Sequence, residues 1–248
     1  MRIGKLFGAC LITAAATIGA TGGAFAATSN VTFEYTGGNP DAYATLLIDG
    51  STLLTATSRG WIDATGANNG GGVQGNYIAG FCGSSDACNG ANREYHNYFT
   101  FDLSAIAGAT SAVLSLYQPD DAFGVPGLDG YVSSNPSITY ALFDYVLSPP
   151  IEAASGIGAY DDLANGLSFG STVVTAASNG GAVSFALNGN GLAALNASAG
   201  GLFAFGGAVL NAGPPAVPEP ASWAMMVGGF ALIGGALRAR QKAGVSFG

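Results

Sequence analysis

An uncharged segment of 17 residues, Ala221 to Leu237, places the strongest constraint on this chain. As a helix rising ~1.5 Å per residue it would be about 26 Å long, which just spans the ~30 Å hydrocarbon core of a bilayer. Arg238, Arg240 and Lys242 follow it. Because Lys and Arg stay on the cytoplasmic side, we expect residues 243–248 inside and everything before residue 218 outside.

The tripeptide Pro218-Glu219-Pro220 precedes this segment. Each proline fixes its own φ and pushes the residue before it toward extended conformations, so Val217 and Glu219 should be extended. An extended chain is what a protease cleft binds, which predicts a processing element. A plain membrane anchor with a Pro-rich hinge at residues 214–220 is the alternative.

The order of PEP, a short gap, WAMM, a Gly-rich apolar run and an Arg-rich end resembles the PEP-CTERM sorting signal of Gram-negative bacteria. That tail is also named the ice-binding protein C-terminal domain. The resemblance spans residues 217–242 and implies inner-membrane anchoring and processing by an exosortase, a membrane cysteine transpeptidase. It implies recognition through Pro218, Glu219 and Pro220, an anchor at 221–237, and a stop at Arg238 and Arg240. The basic end reads Arg-Ala-Arg-Gln-Lys instead of an unbroken Arg run.

The N-terminus predicts export. Arg2 and Lys5 precede an apolar stretch at residues 6–20, and Ala24-Phe25-Ala26 forms a small-x-small cleavage site. These features are typical of a secretory signal peptide, here residues 1–26, with cleavage between Ala26 and Ala27. Cys10 lies within this peptide, and no lipoprotein pattern surrounds it.

Between the two targeting segments the chain is strongly acidic. Residues 27–216 hold 14 Asp and Glu against Arg59 and Arg93, a net charge of −12. Nucleic acids and anionic lipids bind clustered Lys and Arg, so we expect neither as a partner of this part. About 190 residues suit one domain, at 27–210, followed by a Pro-rich linker at 211–217.

Two cysteines remain in the predicted mature chain, Cys82 and Cys88. In an oxidising periplasm they predict a local disulfide. A metal pair is the alternative, but it would lack two further ligands.

Strand patterns dominate residues 27–210. Asp49-Gly50 separates two apolar runs and predicts a hairpin, while Phe99, Phe101 and Leu103 alternate with polar residues, as in a half-buried strand. Strands are predicted at 31–35, 44–48, 52–57, 95–103, 112–117, 138–146, 171–175, 182–187 and 202–205. Loops are predicted at 65–75 and 119–135.

Helical patterns are short, at 103–107, 160–163 and 192–196. Parallel βαβ units need long crossover helices, so the sequence predicts an all-β fold, an antiparallel β-sandwich of jelly-roll type with one C-terminal transmembrane helix. Runs such as NYFTFDLSAIAGATSAVLSLYQPD and SITYALFDY, within residues 97–209, resemble extracytoplasmic sandwich domains of other PEP-CTERM proteins and, more loosely, carbohydrate-binding jelly rolls.

Two enzyme motifs match only by pattern. Gly166-Leu167-Ser168-Phe169-Gly170 fits the G-x-S-x-G elbow, but a strand follows it and the sole histidine precedes it, so a turn is expected at Ser168. The G-x-G-x-x-A run at 189–194 lacks the acidic residue that a dinucleotide site needs about 20 positions later.

Acid–base residues are few. His96 could act as a general base beside Glu94 or Asp102, although a hydrogen-bonded strand histidine is the more common case. The pairs Asp120-Asp121 and Asp161-Asp162 could serve glycoside hydrolysis, but turn or calcium-binding roles are favoured, with Asp129 as a further calcium ligand.

Exposed aromatic rings could stack on sugars, and the candidates are Trp61, Tyr77, Tyr95, Tyr98 and Tyr131. No regular Thr array suggests ice binding. We therefore expect a non-catalytic protein with no cofactor, exported and anchored in the inner membrane of a Gram-negative bacterium. Its ectodomain would be periplasmic and then reach the cell surface or biofilm matrix, with an exosortase and extracellular polysaccharide as partners. A secreted glycan-active hydrolase is the alternative.

Overall fold

A computed structural model describes residues 29–34, 44–70, 75–83, 92–122, 125–147 and 150–210, together with Gly229, Phe230 and Ile233. The larger of two compact units comprises Ala26–Val217. In the other unit, the three described residues are helical. Within the described residues, no helix combines the length and the apolar character needed to cross a membrane.

In its described residues, the larger unit consists of short strands and two α-helices. The strands are β1 (Ser29–Glu34), β2 (Thr45–Ile48), β3 (Thr52–Thr55), β4 (Ser58–Asp63), β5 (Asn76–Cys82), β6 (Arg93–Asp102), β7 (Ala112–Gln118), β8 (Tyr131–Ser133), β9 (Ile138–Asp144), β10 (Ser168–Val174), β11 (Gly181–Ala186) and β12 (Leu202–Val209). The helices are α1 (Ile157–Asp162) and α2 (Gly189–Ala197), with a 3₁₀ turn at Ile151–Ala153.

The strands form two antiparallel sheets. The large sheet has the order β10-β9-β12-β6-β5-β1-β8, with β4 paired to β6, and the small sheet has the order β11-β7-β2-β3. All described pairings are antiparallel, which confirms the predicted strand direction.

The hairpin between β2 and β3 forms at the predicted dipeptide. Asp49 and Gly50 have φ of 48° and 65°, as a type I′ turn requires, and the Ser51 amide donates to the Ile48 carbonyl at 3.1 Å. The Asp49 carboxylate accepts from the amides of Thr110 and Ser111 at 2.9 and 2.8 Å. This side chain therefore ties the turn to the start of β7.

One apolar core takes side chains from both sheets. Phe99 and Phe101 of β6 point into it, as the alternation predicted, and both are fully buried. Tyr140 of β9 meets Phe185 of β11 edge to face, with ring centroids 5.2 Å apart. The contact joins the large sheet to the small one.

The second face of β6 is buried as well, so the prediction of a half-buried strand is wrong. Tyr98 points away from the main core and packs with Ile62, Ile151, Tyr160 and Leu163 in a separate apolar cluster. Residues 151–163, the cover segment, supply most of that cluster. A sequence pattern of alternating aromatic and polar residues does not reveal a third layer that covers the polar side.

Three strands and one helix differ from the predictions. β4 and β5 are additional strands, and β8 lies inside the predicted 119–135 loop. Residues 103–107 form a turn, closed by a hydrogen bond from the Ile106 amide to the Leu103 carbonyl, instead of a helix. The other two helical patterns lie at α1 and α2.

Glycines explain why β4 and β5 escaped the pattern. A side chain at Gly60 would overlap the Tyr98 hydroxyl and the Asn69 side chain, and one at Gly80, where φ is +97°, would overlap the backbone of β1. Both glycines allow neighbouring strands to approach closely. Because glycine has no side chain, neither residue contributes to an alternating apolar pattern.

We expect Gly207→Ala to lower the free energy of unfolding by at least ~2 kcal/mol, because its new methyl group would overlap the Tyr140 hydroxyl and the Asn97 side chain inside the core. The melting temperature should fall by about 4–8 °C. Gly189→Ala is the matched control, since a methyl group there meets nothing within 4 Å. Equal melting temperatures for the two variants would contradict this description of the core.

Candidate functional site

Two polar groups lie where β4 ends and β6 begins. The antiparallel register sets Asp63 opposite Tyr95, and Ile62 opposite His96. Since side chains alternate along a strand, Asp63 and Arg93 share one face, while Glu94 and His96 share the other. This end of the large sheet therefore carries a salt bridge on one face and a polar pair, Glu94 and His96, on the other.

Asp63 is the centre of the first group. One carboxylate oxygen lies 2.6 Å from an Arg93 guanidinium nitrogen. The other accepts from the Thr65 amide at 2.9 Å, the Thr65 hydroxyl at 2.5 Å and the Ala67 amide at 3.1 Å. Burial acts to raise the Asp63 pKa, but the hydrogen bonds from Thr65, Arg93 and Ala67 together lower it. The carboxylate thereby fixes the turn after β4.

The loop beyond this turn reaches the cover segment. The Asn68 amide donates to the Ala154 carbonyl at 2.8 Å. The Tyr98 hydroxyl lies 3.1 Å from the Asn68 side-chain oxygen and 3.0 Å from the Gly70 carbonyl. Burial raises the pKa of Tyr98 to about 12, so at physiological pH this hydroxyl remains a donor.

His96 is the centre of the second group. Its ring stacks on Tyr160 with centroids 3.9 Å apart and planes 8° apart. Nδ1 lies 2.8 Å from the Tyr160 carbonyl oxygen, so Nδ1 carries the proton and donates it. Nε2 is 3.8 Å from a Glu94 carboxylate oxygen. The nearby His96 ring is the largest cause of the lowered Glu94 pKa.

Through these contacts, His96 of β6 holds α1 in place. The ring is buried, one nitrogen is occupied by a carbonyl and the other faces Glu94. Glu94 is the neighbour that the sequence suggested. The other suggested neighbour, Asp102, lies at the far end of β6, where it accepts from the Ser104 amide at 2.8 Å.

The two motif matches take structural positions. Ser168 begins β10, where its hydroxyl accepts from the Gly170 amide at 3.3 Å across a bulge in the β9 pairing. The G-x-G-x-x-A run forms the first turns of α2, whose preceding residue, Asn188, caps the helix by accepting from the Gly191 amide at 3.0 Å. A side chain at Gly191 would press on Phe169 and Leu187.

The two carboxylate pairs, Asp120-Asp121 and Asp161-Asp162, have different surroundings. Asp120 and Asp121 are exposed beyond β7. Asp162 at the end of α1 accepts from the Val146 amide at 3.0 Å. Among the described residues, no group of three or more His, Cys, Asp or Glu side chains is close enough to hold a metal ion. Calcium binding stays a prediction.

Four of the five proposed sugar-stacking aromatics are wrong, because Tyr77, Tyr95, Tyr98 and Tyr131 are buried. Trp61 is half-buried, with its ring edge to face on Tyr95 at 5.0 Å and its indole nitrogen 3.2 Å from an Asn76 oxygen. These rings are used in the packing of the two sheets and the cover segment.

Tyr117 carries an outward-facing aromatic ring and was not among the five predicted sugar-stacking residues. It is the last outward residue of β7, whose burial alternates strictly between buried and half-buried positions. Alternation from Val113 to Tyr117 in the sequence could have found it.

The outer face of the small sheet, here called the small-sheet face, carries two regular rows across all four strands. The register aligns Ser184, Ser115, Thr45 and Thr55 in a hydroxyl row, and Ala186, Val113, Leu47 and Leu53 in an aliphatic row. Tyr117 and Ala182 follow beside the hydroxyl row. The hydroxyls of Ser115 and Ser184 are 3.0 Å apart. None of these ten side chains is charged.

The targeting elements lie outside the described residues. These are the cleavage site at Ala26 and Ala27, and the sorting residues Pro218, Glu219, Pro220, Arg238 and Arg240. Cys82 ends β5 and is fully buried, whereas Cys88 is outside the described ranges, so their disulfide stays a prediction. Comparisons with protein-family models, curated proteins and solved structures gave no significant match.

We expect Asp63→Asn to lower the free energy of unfolding by about 1–3 kcal/mol, because Arg93 loses its charged partner and one of the two accepting oxygens becomes an NH2 group that cannot accept a hydrogen bond. Urea denaturation measures the change. Asp161→Asn, at an exposed position in α1, should alter stability by less than about 0.5 kcal/mol. A similar effect of both substitutions would refute the role given to Asp63.

Acid should destabilise the fold through Asp63 and Glu94. Both pKa values are lower in the folded chain than their ordinary 3.8 and 4.5. The unfolded chain therefore takes up protons first, so this stabilisation is full above about pH 5 and is lost as the pH falls through the folded-state pKa values, which lie below 3.8 for Asp63 and below 4.5 for Glu94. The slope of unfolding free energy against pH should flatten in a variant with Asp63→Asn and Glu94→Gln. An unchanged slope would exclude these two carboxylates as its source.

Proposed function

We propose that this chain is an exported, membrane-anchored, non-catalytic surface protein, sorted through a PEP-CTERM tail by an exosortase. The observation that carries the proposal is the ordered sequence of Pro218-Glu219-Pro220, an uncharged 17-residue run and a basic end at 217–242. A signal peptide at residues 1–26 completes it.

For the ectodomain we propose a β-sandwich of jelly-roll type, with the large and small sheets as its two layers. The shared core, and above all the contact between Tyr140 and Phe185, supports this arrangement. Sandwich layers pack through alternate inward residues, which is how β7 and β11 contribute to the core.

The position of β12 suits an anchored domain. This last strand ends at Val209, before the linker to the predicted anchor, and pairs with β6 on one side and β9 on the other. A force on the linker would therefore act on the backbone hydrogen bonds along both sides of β12. An edge strand would resist the same force with the hydrogen bonds of one side only.

We further propose that the exported domain associates with extracellular polysaccharide. A net charge of −12 in residues 27–216 opposes nucleic acids and anionic surfaces. The Asp and Glu side chains described above at 49, 63, 94, 102 and 162 hold turns and strand ends together. Because these carboxylates hold the fold together, they support a binding function and not a catalytic one.

Mass spectrometry of the mature C-terminus tests the sorting proposal. In a Gram-negative host with an exosortase, extracellular protein should lack residues 238–248. Replacing Pro218, Glu219 and Pro220 by Ala should leave the intact tail in the membrane fraction, because the recognition element is gone. Replacing Pro214 and Pro215 by Ala alters the same linker outside the motif and should leave processing unchanged. An intact tail on extracellular wild-type protein would refute exosortase processing.

A further inference from the structure

We infer that the small-sheet face is a binding site for a neutral polysaccharide, with Tyr117 as its stacking ring. This inference rests on the proposed association with extracellular polysaccharide and assigns it a surface and a class of glycan.

Charge selects the class of partner. The ten outward side chains include no acid, base or amide, although the exported part of the chain carries a net charge of −12. An anionic polymer would meet the repulsion of the whole domain. A neutral polymer meets none, and its binding leaves no charge on this face desolvated without a partner.

The two rows match the chemistry of a sugar chain. Serine and threonine hydroxyls both donate and accept hydrogen bonds, as sugar hydroxyls do. Neighbouring strands are about 4.8 Å apart, so the hydroxyl row repeats on the scale of one hexose ring. The aliphatic row, from Ala186 to Leu53, runs beside it and offers apolar contact to ring C–H groups.

Tyr117 supplies an aromatic ring at one corner of the face. Its cross-strand neighbour on β11 is Ala182, a small exposed residue, so the ring is open on that side. Asp120 and Asp121 follow the end of β7 and are exposed, and their charges, after burial, raise the Tyr117 pKa. We expect these exposed carboxylates to accept hydrogen bonds from the hydroxyls of a sugar stacked on Tyr117.

The size of the face argues against a second copy of this chain as the occupant. Four strands about 4.8 Å apart and three rows about 7 Å apart, with side-chain margins, give roughly 400 Å². A stable protein dimer buries about 800 Å² on each partner. A polymer with many equivalent segments can be retained by a smaller surface, because several anchored copies bind it at once.

Sedimentation with insoluble polysaccharides tests this site. The full-length chain, in a zwitterionic detergent without a sugar head group, is mixed with microcrystalline cellulose, granular starch or chitin, and with calcium alginate beads as an anionic polymer. We expect retention by at least one neutral polymer and none by alginate. Leu53→Lys and Tyr117→Ala should each raise the dissociation constant at least ~5-fold, since they place a charge in the aliphatic row and remove the ring.

Val173→Lys is the matched control. Val173 lies on β10 of the large sheet and is 61% exposed, against 63% for Leu53. It should bind as the wild type does, and all three variants should keep its melting temperature within about 3 °C. Equal binding by all variants, or no retention by any neutral polymer, would overturn the inference. Mass spectrometry of the C-terminus of extracellular protein, as set out under the proposed function, reports separately on the sorting proposal.

Discussion

The pairing of β6 with strands on both edges is the constraint on which the rest of this structure depends. β12 and β5 pair with it along one edge and β4 along the other. Its ten residues are therefore held in one register, and that register decides which side chains face the main core and which face the cover segment. A slip by one residue would exchange Phe99 and Phe101 for Tyr98 and Thr100 in the core.

The two faces of β6 are stabilised by different means. Toward the small sheet, aromatic rings pack against one another, as between Phe101 and Phe205 with centroids 5.9 Å apart. Toward the cover segment, directed contacts add to a smaller apolar cluster, and His96 and Asn68 both bond to backbone carbonyls of that segment. Directed bonds fix orientation where the apolar area is small, because each loses its strength when its geometry is disturbed.

Local sequence patterns predicted features that depend on neighbouring residues alone. The dipeptide Asp49-Gly50 specifies its turn through the positive φ of both residues, and alternation from residue 99 to 103 specifies an inward face. Patterns failed where a distant segment decides the outcome. In the sequence, Gly60 indicates a break in a strand, whereas in the structure it makes room for Tyr98. Tyr98 was predicted to be exposed, but residues 151–163 cover its ring. Tyr117 lay within reach of the sequence, since its strand alternates without exception.

The central place of the last strand sets the order in which this chain can fold. Until residues 202–209 arrive, β9 and β6 have no partner between them, and the large sheet stays in two parts. A chain that emerges from its N-terminus must therefore wait for almost its entire length before closing its hydrogen-bond network. Completion of the large sheet therefore comes late, so a chaperone that shields open strands would act until residues 202–209 have paired.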